Sequence, residues 1–250
     1  MRENRSGASH AFAAVMKSQW IEFISSYCDS WCERCAFTER CSHFAMHSAI
    51  TMCDGDVEAA LQLTFGEPRR PDGVQRPPAH QRIADILGHA DPTPKELAAI
   101  GREVEARQER MRRLPLAEAS LDYAIGARRW LDAQGRRRET SEAAVAGAME
   151  IVSWDASLIH AKIMRALNGR DEQTNGGARG AKKAVQSDWN GSAKVALLSL
   201  ERSAVAWQTI AGSTTAEAAG ALMDAAARLR SALLDDFPRA REFRRPGFDR

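Results

Sequence analysis

Four of the chain's five cysteines fall within the 14 residues Cys28–Cys41, inside the stretch YCDSWCERCAFTERC. Cys28, Cys32, Cys35 and Cys41 are spaced C-x3-C-x2-C-x5-C. Four thiolates satisfy either a tetrahedral zinc ion or a four-iron four-sulfur (4Fe-4S) cluster. Zinc ribbons usually take two ligands from each of two separated C-x2-C knuckles. Here there is one C-x2-C, and all four ligands are close in sequence. A cubane spreads its irons over a larger volume, so one short segment with unequal spacers can wrap it. The reading adopted is a 4Fe-4S cluster, with zinc as the alternative. Trp31 and Phe37 are available to shield such a centre from water, and Arg34 and Arg40 to offset thiolate charge. Competing readings are buried cysteines acting as small hydrophobes and a redox thiol pair at Cys32 and Cys35. The pair lacks the βαβ surroundings usual for that chemistry. Cys53, outside the block, reads as a core residue. His43 and His47, four apart, share a helix face and read as a solvent-facing pair.

Two resemblances concern this spacing alone. C-x3-C-x2-C is similar to the cluster triad of radical S-adenosylmethionine enzymes. Those are β/α barrels with glycine-rich cofactor loops, which the sequence does not match. C-x2-C-x5-C, here Cys32, Cys35 and Cys41, resembles the end of the cluster motif in RecB-type iron–sulfur exonucleases. Their distant first cysteine and acidic nuclease core on a sheet have no counterpart here. The resemblances imply a cofactor and no activity.

Length permits a sizeable core without metals or disulfides to hold it. Apolar residues are 44%, charged residues 27% and formal net charge is +2, so global charge does not mark the chain as a nucleic-acid binder. No apolar run approaches the roughly 18 residues that span a bilayer. Lys17 and Gln19 interrupt the apolar start, unlike a secretory signal. The expected location is cytoplasmic, where clustered cysteines favour metal or redox chemistry over disulfides.

The elements that must carry the cysteines read as all-α. Apolar residues recur at helical spacing and no alternating strand pattern stands out. A first helix is expected over residues 8–26, with Phe12, Val15, Met16, Ile21 and Phe23 apolar. Helices are expected over 42–52 and 55–65, the second capped by Asp54 or Asp56. The next begins after Thr93-Pro94, with Glu96 in its first turn, and runs to about Arg113. Pro115 permits a break before a helix over 116–133, stopped by Gly135. Val145, Met149, Val152, Ala156, Ile159, Ile163 and Ala166 keep one seam facing a neighbour, and Asn168-Gly169 reads as the stop. Ala193, Leu197, Leu200, Ala204, Trp207 and Ala211 repeat that spacing. A last helix over about 214–235 carries Ala218, Leu222, Ala225, Leu229 and Leu233.

The expected architecture is a C-terminal up-down helical bundle preceded by a small cysteine-rich metal-binding helical segment. The expected organisation is a segment over 1–65 with the cysteine site, a linker over 66–92, and a bundle over 93–250 with a mobile loop near 169–190. The basic, proline-broken tail is expected to lie over the bundle.

Polar residues within the bundle pattern raise other chemistry. Glu150, His160 and Glu201 would form a catalytic or metal site only if they converged. The Glu-x-x-His pairs of di-iron bundles do not occur, so ion pairs that set helix register are the expectation. Asn190 or Ser192 is placed to cap a helix with Lys194 near its start, an arrangement that suits an anion. Arg107, Arg110, Arg112, Arg113, Arg128, Arg129, Arg136, Arg137 and Arg138 cluster in sequence, interleaved with acids. They suit either solvated helix faces or nucleic-acid phosphates. The partner expectations are thus a protein or redox partner, no membrane, nucleic acid as the alternative, and a homodimer through an uncovered seam. Sequence names no reaction.

Overall fold

The computed structural model describes residues 19–66, 93–135, 142–175, 185–213 and 216–249. Among them are seven α-helices and no strand. The chain divides into two compact units, Met1–Ser26 with Ser30–Arg107 and Tyr27–Asp29 with Gln108–Arg250.

In the first unit, Ile24–Tyr27, Cys32–Arg34 and Thr38–Arg40 are short 3-10 turns; Tyr27, the last residue of the first turn, belongs to the second unit. Helices α1 (Ser42–Met52) and α2 (Val57–Phe65) follow and pack on each other. Asp56 caps α2 by accepting from the Ala59 amide at 3.0 Å. The ring of Trp20 meets Phe65 edge-on, with centroids 5.5 Å apart. The helix expected over 8–26 is corrected where it can be seen. Gln19 is helical, but Glu22–Phe23 form a turn and Ile24–Tyr27 a 3-10 turn, and Phe23 lies exposed at φ +60°, a backbone state that ends a right-handed helix. Residues 1–18, and the linker from 67 to 92, lie outside the described residues.

Helix α3 (Pro94–Arg112) starts in a capping box. The Thr93 amide and hydroxyl both donate to the Glu96 carboxylate at 2.7 Å, and the Glu96 amide returns a bond to the Thr93 hydroxyl at 3.3 Å. Leu97, Ile100 and Val104 on this helix are exposed, and Met111 is buried.

The second unit is built on α4 (Pro115–Gln134), α5 (Ala143–Asn175), α6 (Asp188–Ala211) and α7 (Ala216–Asp236). Each helix packs on the next, and α7 closes the ring against α4. Two core clusters fix their directions. One joins Leu116 and Tyr123 of α4, Ile159 and Ile163 of α5, Leu197 and Leu200 of α6, and Leu229 and Leu233 of α7. The other joins Ala127 and Leu131, Val145 and Met149, Trp207 and Ile210, and Ala219. Each cluster thus takes the start of one helix with the end of the next, so the helices alternate up and down. All seven seam residues expected on α5 are buried.

Helix α5 is 33 residues long, about 50 Å, and continues beyond the expected stop at Asn168-Gly169. Tertiary contacts outweigh the local signal there. Arg170 donates to the Asp236 carbonyl at 2.9 Å and its guanidinium lies 4.4 Å from the centre of the Phe237 ring. The Asn168 amide is turned back on the Met164 carbonyl. The tail packs on α6 as expected, burying Phe237, Ala240 and Phe243.

Candidate functional site

The cysteine block is a series of tight turns. The Cys35 amide donates to the Cys32 carbonyl at 3.1 Å, so the C-x2-C pair brackets one 3-10 turn. The Cys41 amide closes the next turn on the Thr38 carbonyl at 3.2 Å, and Cys41 is the N-cap residue of α1. The Phe37 amide donates to the Cys35 sulfur at 3.4 Å. Trp31 is buried beneath the Arg34 guanidinium, which sits 3.9 Å above its ring centre. The Ile21 amide binds the Arg40 carbonyl, and the Arg40 side chain binds the Gln19 carbonyl, tying the ends of the block together.

None of the five cysteines forms a disulfide, and all are half-buried. Among the described residues, no three or more His, Cys, Asp or Glu side chains form a group able to hold a metal. Cys32, Cys35 and Cys41 lie in successive turns of the first unit. His43 and His47 are exposed on α1.

Cys28 has a different setting. It belongs to Tyr27–Asp29, the tripeptide that packs with the second unit. Tyr27 donates its hydroxyl to Asp188 at 3.2 Å and stacks on Phe243 with ring centres 4.6 Å apart. The two rings lie against Gly191 of α6, where an added Cβ would stand 2.3 Å from the Tyr27 ring. Asp29 is held twice. Its carbonyl accepts from the Trp154 indole at 2.9 Å, and its carboxylate accepts from Arg202 at 2.6 Å.

Arg202 uses its other edge on Asp155, which is fully buried on α5 and accepts from two guanidinium nitrogens. The Ser203 hydroxyl also donates to Asp155, at 3.3 Å. Burial pushes the Asp155 carboxyl up, against the pull of Arg202. Burial likewise opposes the charge on Arg202, but the two carboxylates outweigh it and hold its pKa above the ordinary value. Lys162, also buried, has its pKa lowered by desolvation.

The other candidate residues do not converge. Glu150 is exposed. His160 meets the Ser120 hydroxyl at 2.9 Å, and burial lowers its pKa. Glu201 receives Arg230 and Arg241, both at 3.1 Å. A cleft of about 730 Å³ floored by Leu116, Tyr123, Leu222 and Leu229 is lined by none of the three. The cap of α6 is Ser187, accepting from the Asn190 amide, rather than Asn190 or Ser192. Lys194 is 2.7 Å from Asp249 and donates to the Phe243 carbonyl at 2.5 Å, so the chain's own tail supplies the anion there. Arg113 pairs with Glu109 of α3 at 2.7 Å, and Arg128 with Asp132 on α4 at 3.1 Å. Arg136, Arg137 and Arg138 lie outside the described residues. No described helix is long and apolar enough to cross a membrane.

Sequence reasoning missed Asp29, Asp155 and Arg202 as a unit. The sequence offers Asp155 and Arg202 as polar residues of adjoining helices, where ion pairs are the expectation, but nothing in it ties Asp29 to them. Against known proteins the chain finds no match among family models, curated proteins or solved structures.

Proposed function

We propose that the protein is a cysteine-ligated metalloprotein carrying one 4Fe-4S cluster in a redox or sensing role, with Cys28, Cys32, Cys35 and Cys41 as ligands. The observation that supports it most is the turn at Cys32–Cys35, where a backbone amide donates to the Cys35 sulfur. Amide donors to sulfur stabilise the negative charge of ligating thiolates and set a cluster's potential. Cys41 stands at the N-cap position of α1, the end of a helix where the dipole favours negative charge. None of the four is tied up in a disulfide.

Loading requires the sulfurs to turn toward a common centre. Metal binding in small cysteine sites is worth about 10–16 kcal/mol, as measured for zinc.

Anaerobic purification tests the reading. A 4Fe-4S centre gives a brown protein with broad visible absorption that bleaches in dithionite. A colourless protein with one zinc per chain shifts the reading to a zinc-stapled helical interaction module. Binding to nucleic acid at low salt would extend that second reading to the arginines.

A further inference from the structure

We infer that Arg202 and Trp154 are positioning residues that latch Cys28 to the helical bundle. Treating Cys28 as a ligand rests on the reading just proposed; the latch itself stands on contacts within the second unit. Cys32, Cys35 and Cys41 belong to the first unit, whereas Cys28 is carried by Tyr27–Asp29 of the second. The residues on both sides of Cys28 are anchored. Before it, Tyr27 is held by its bond to Asp188 and by its seat on Gly191 and Phe243. After it, Asp29 is held at its backbone by Trp154 and at its side chain by Arg202.

The Arg202 end is rigid for a physical reason. Its guanidinium grips the fully buried Asp155 with two donors, so the planar fork is already oriented when it meets Asp29. A ligand backbone fixed from both sides by groups locked in a core is what holds a first ligand in place. The bundle therefore holds the backbone on both sides of Cys28. Release of the latch frees Cys28 without disturbing the turn at Cys32–Cys35.

The test uses the metal-free full chain and a double variant, Asp29→Ala with Trp154→Phe. This pair removes both anchors of residue 29 but leaves Arg202 on Asp155, so no buried carboxylate loses its partner. Alkylation by N-ethylmaleimide is followed cysteine by cysteine with mass spectrometry, and circular dichroism checks the helix content. Loss of two hydrogen bonds raises the rate at Cys28 about tenfold, with Cys32 and Cys35 unchanged. An unchanged rate at Cys28 in the folded variant overturns the latch, as does an equal rise at all three cysteines. Iron-loaded wild type and variant are then compared for iron release to a chelator, and the variant releases iron faster. Equal release overturns the positioning role. A wild type that takes up neither iron nor zinc defeats the ligand reading, and the alkylation rates still decide the latch.

Discussion

Trp207 donates its indole N–H to the Tyr123 hydroxyl at 3.0 Å, and this bond joins the two core clusters of the bundle. Both side chains are buried, and Trp207 also meets Trp130 edge-on with centroids 5.1 Å apart. Tyr123→Phe keeps the volume and leaves the indole N–H without its acceptor in the core. The expected loss is about 1–3 kcal/mol, the penalty for an unsatisfied buried donor. Urea unfolding of wild type and variant measures it, and the midpoint falls with little change in slope.

The tail contributes stability that depends on pH. Asp249 lies within 3.0 Å of Arg245 and 2.7 Å of Lys194, in a half-buried position. Burial alone would raise its carboxyl, but the bonds from Arg245 and Lys194 prevail and hold it far below the usual carboxylate range. A depressed folded-state pKa gives stability that is present above the unfolded value, about 4, and is lost as pH falls toward the folded one. Asp249→Asn therefore destabilises the protein at pH 7, by about 1–3 kcal/mol. The gap between wild type and variant narrows as pH drops below about 4. Thermal melts at pH 7, 5 and 3 give the comparison.

At Gly191 two effects oppose each other. Alanine in a helix interior is favoured over glycine by about 1 kcal/mol. Yet a Cβ there would meet the Tyr27 ring at 2.3 Å and the Phe243 ring at 2.7 Å, and ring atoms held on both sides have little room to yield. Overpacking costs about 1–3 kcal/mol, so Gly191→Ala is expected to lower the melting temperature. It also displaces Tyr27, which should speed alkylation of the neighbouring Cys28. A variant as stable as wild type, with Cys28 labelled no faster, contradicts this packing.

Much of the scaffold was legible because its signals are local. The capping box at Thr93 and Glu96 formed as the residue types demand, and Pro115 and Gly135 bracket α4 where a break and a stop were expected. Gly135 adopts φ +44°, the state that glycine reaches without a Cβ clash. The α5 seam was legible from apolar spacing alone. Local signals failed where distant residues decide. The Asn-Gly stop at Asn168 lost to contacts that Arg170 makes with Asp236 and Phe237, more than 60 residues on. Asp29 and Arg202 lie 173 residues apart, and nothing near either one names the other. Lys194 looked like half of an anion site until Asp249 filled it. The cysteines themselves were conspicuous, but their spacing says which residue types are available and not how the sulfurs are aimed.

The most direct measurement is iron, zinc and acid-labile sulfide per chain in oxygen-protected protein, for wild type and for Cys32→Ser with Cys35→Ser. The account predicts four irons and four sulfides per wild-type chain, as the cluster type requires, and almost none in the variant. Wild-type protein with neither metal, or a variant that retains the full complement, would contradict it.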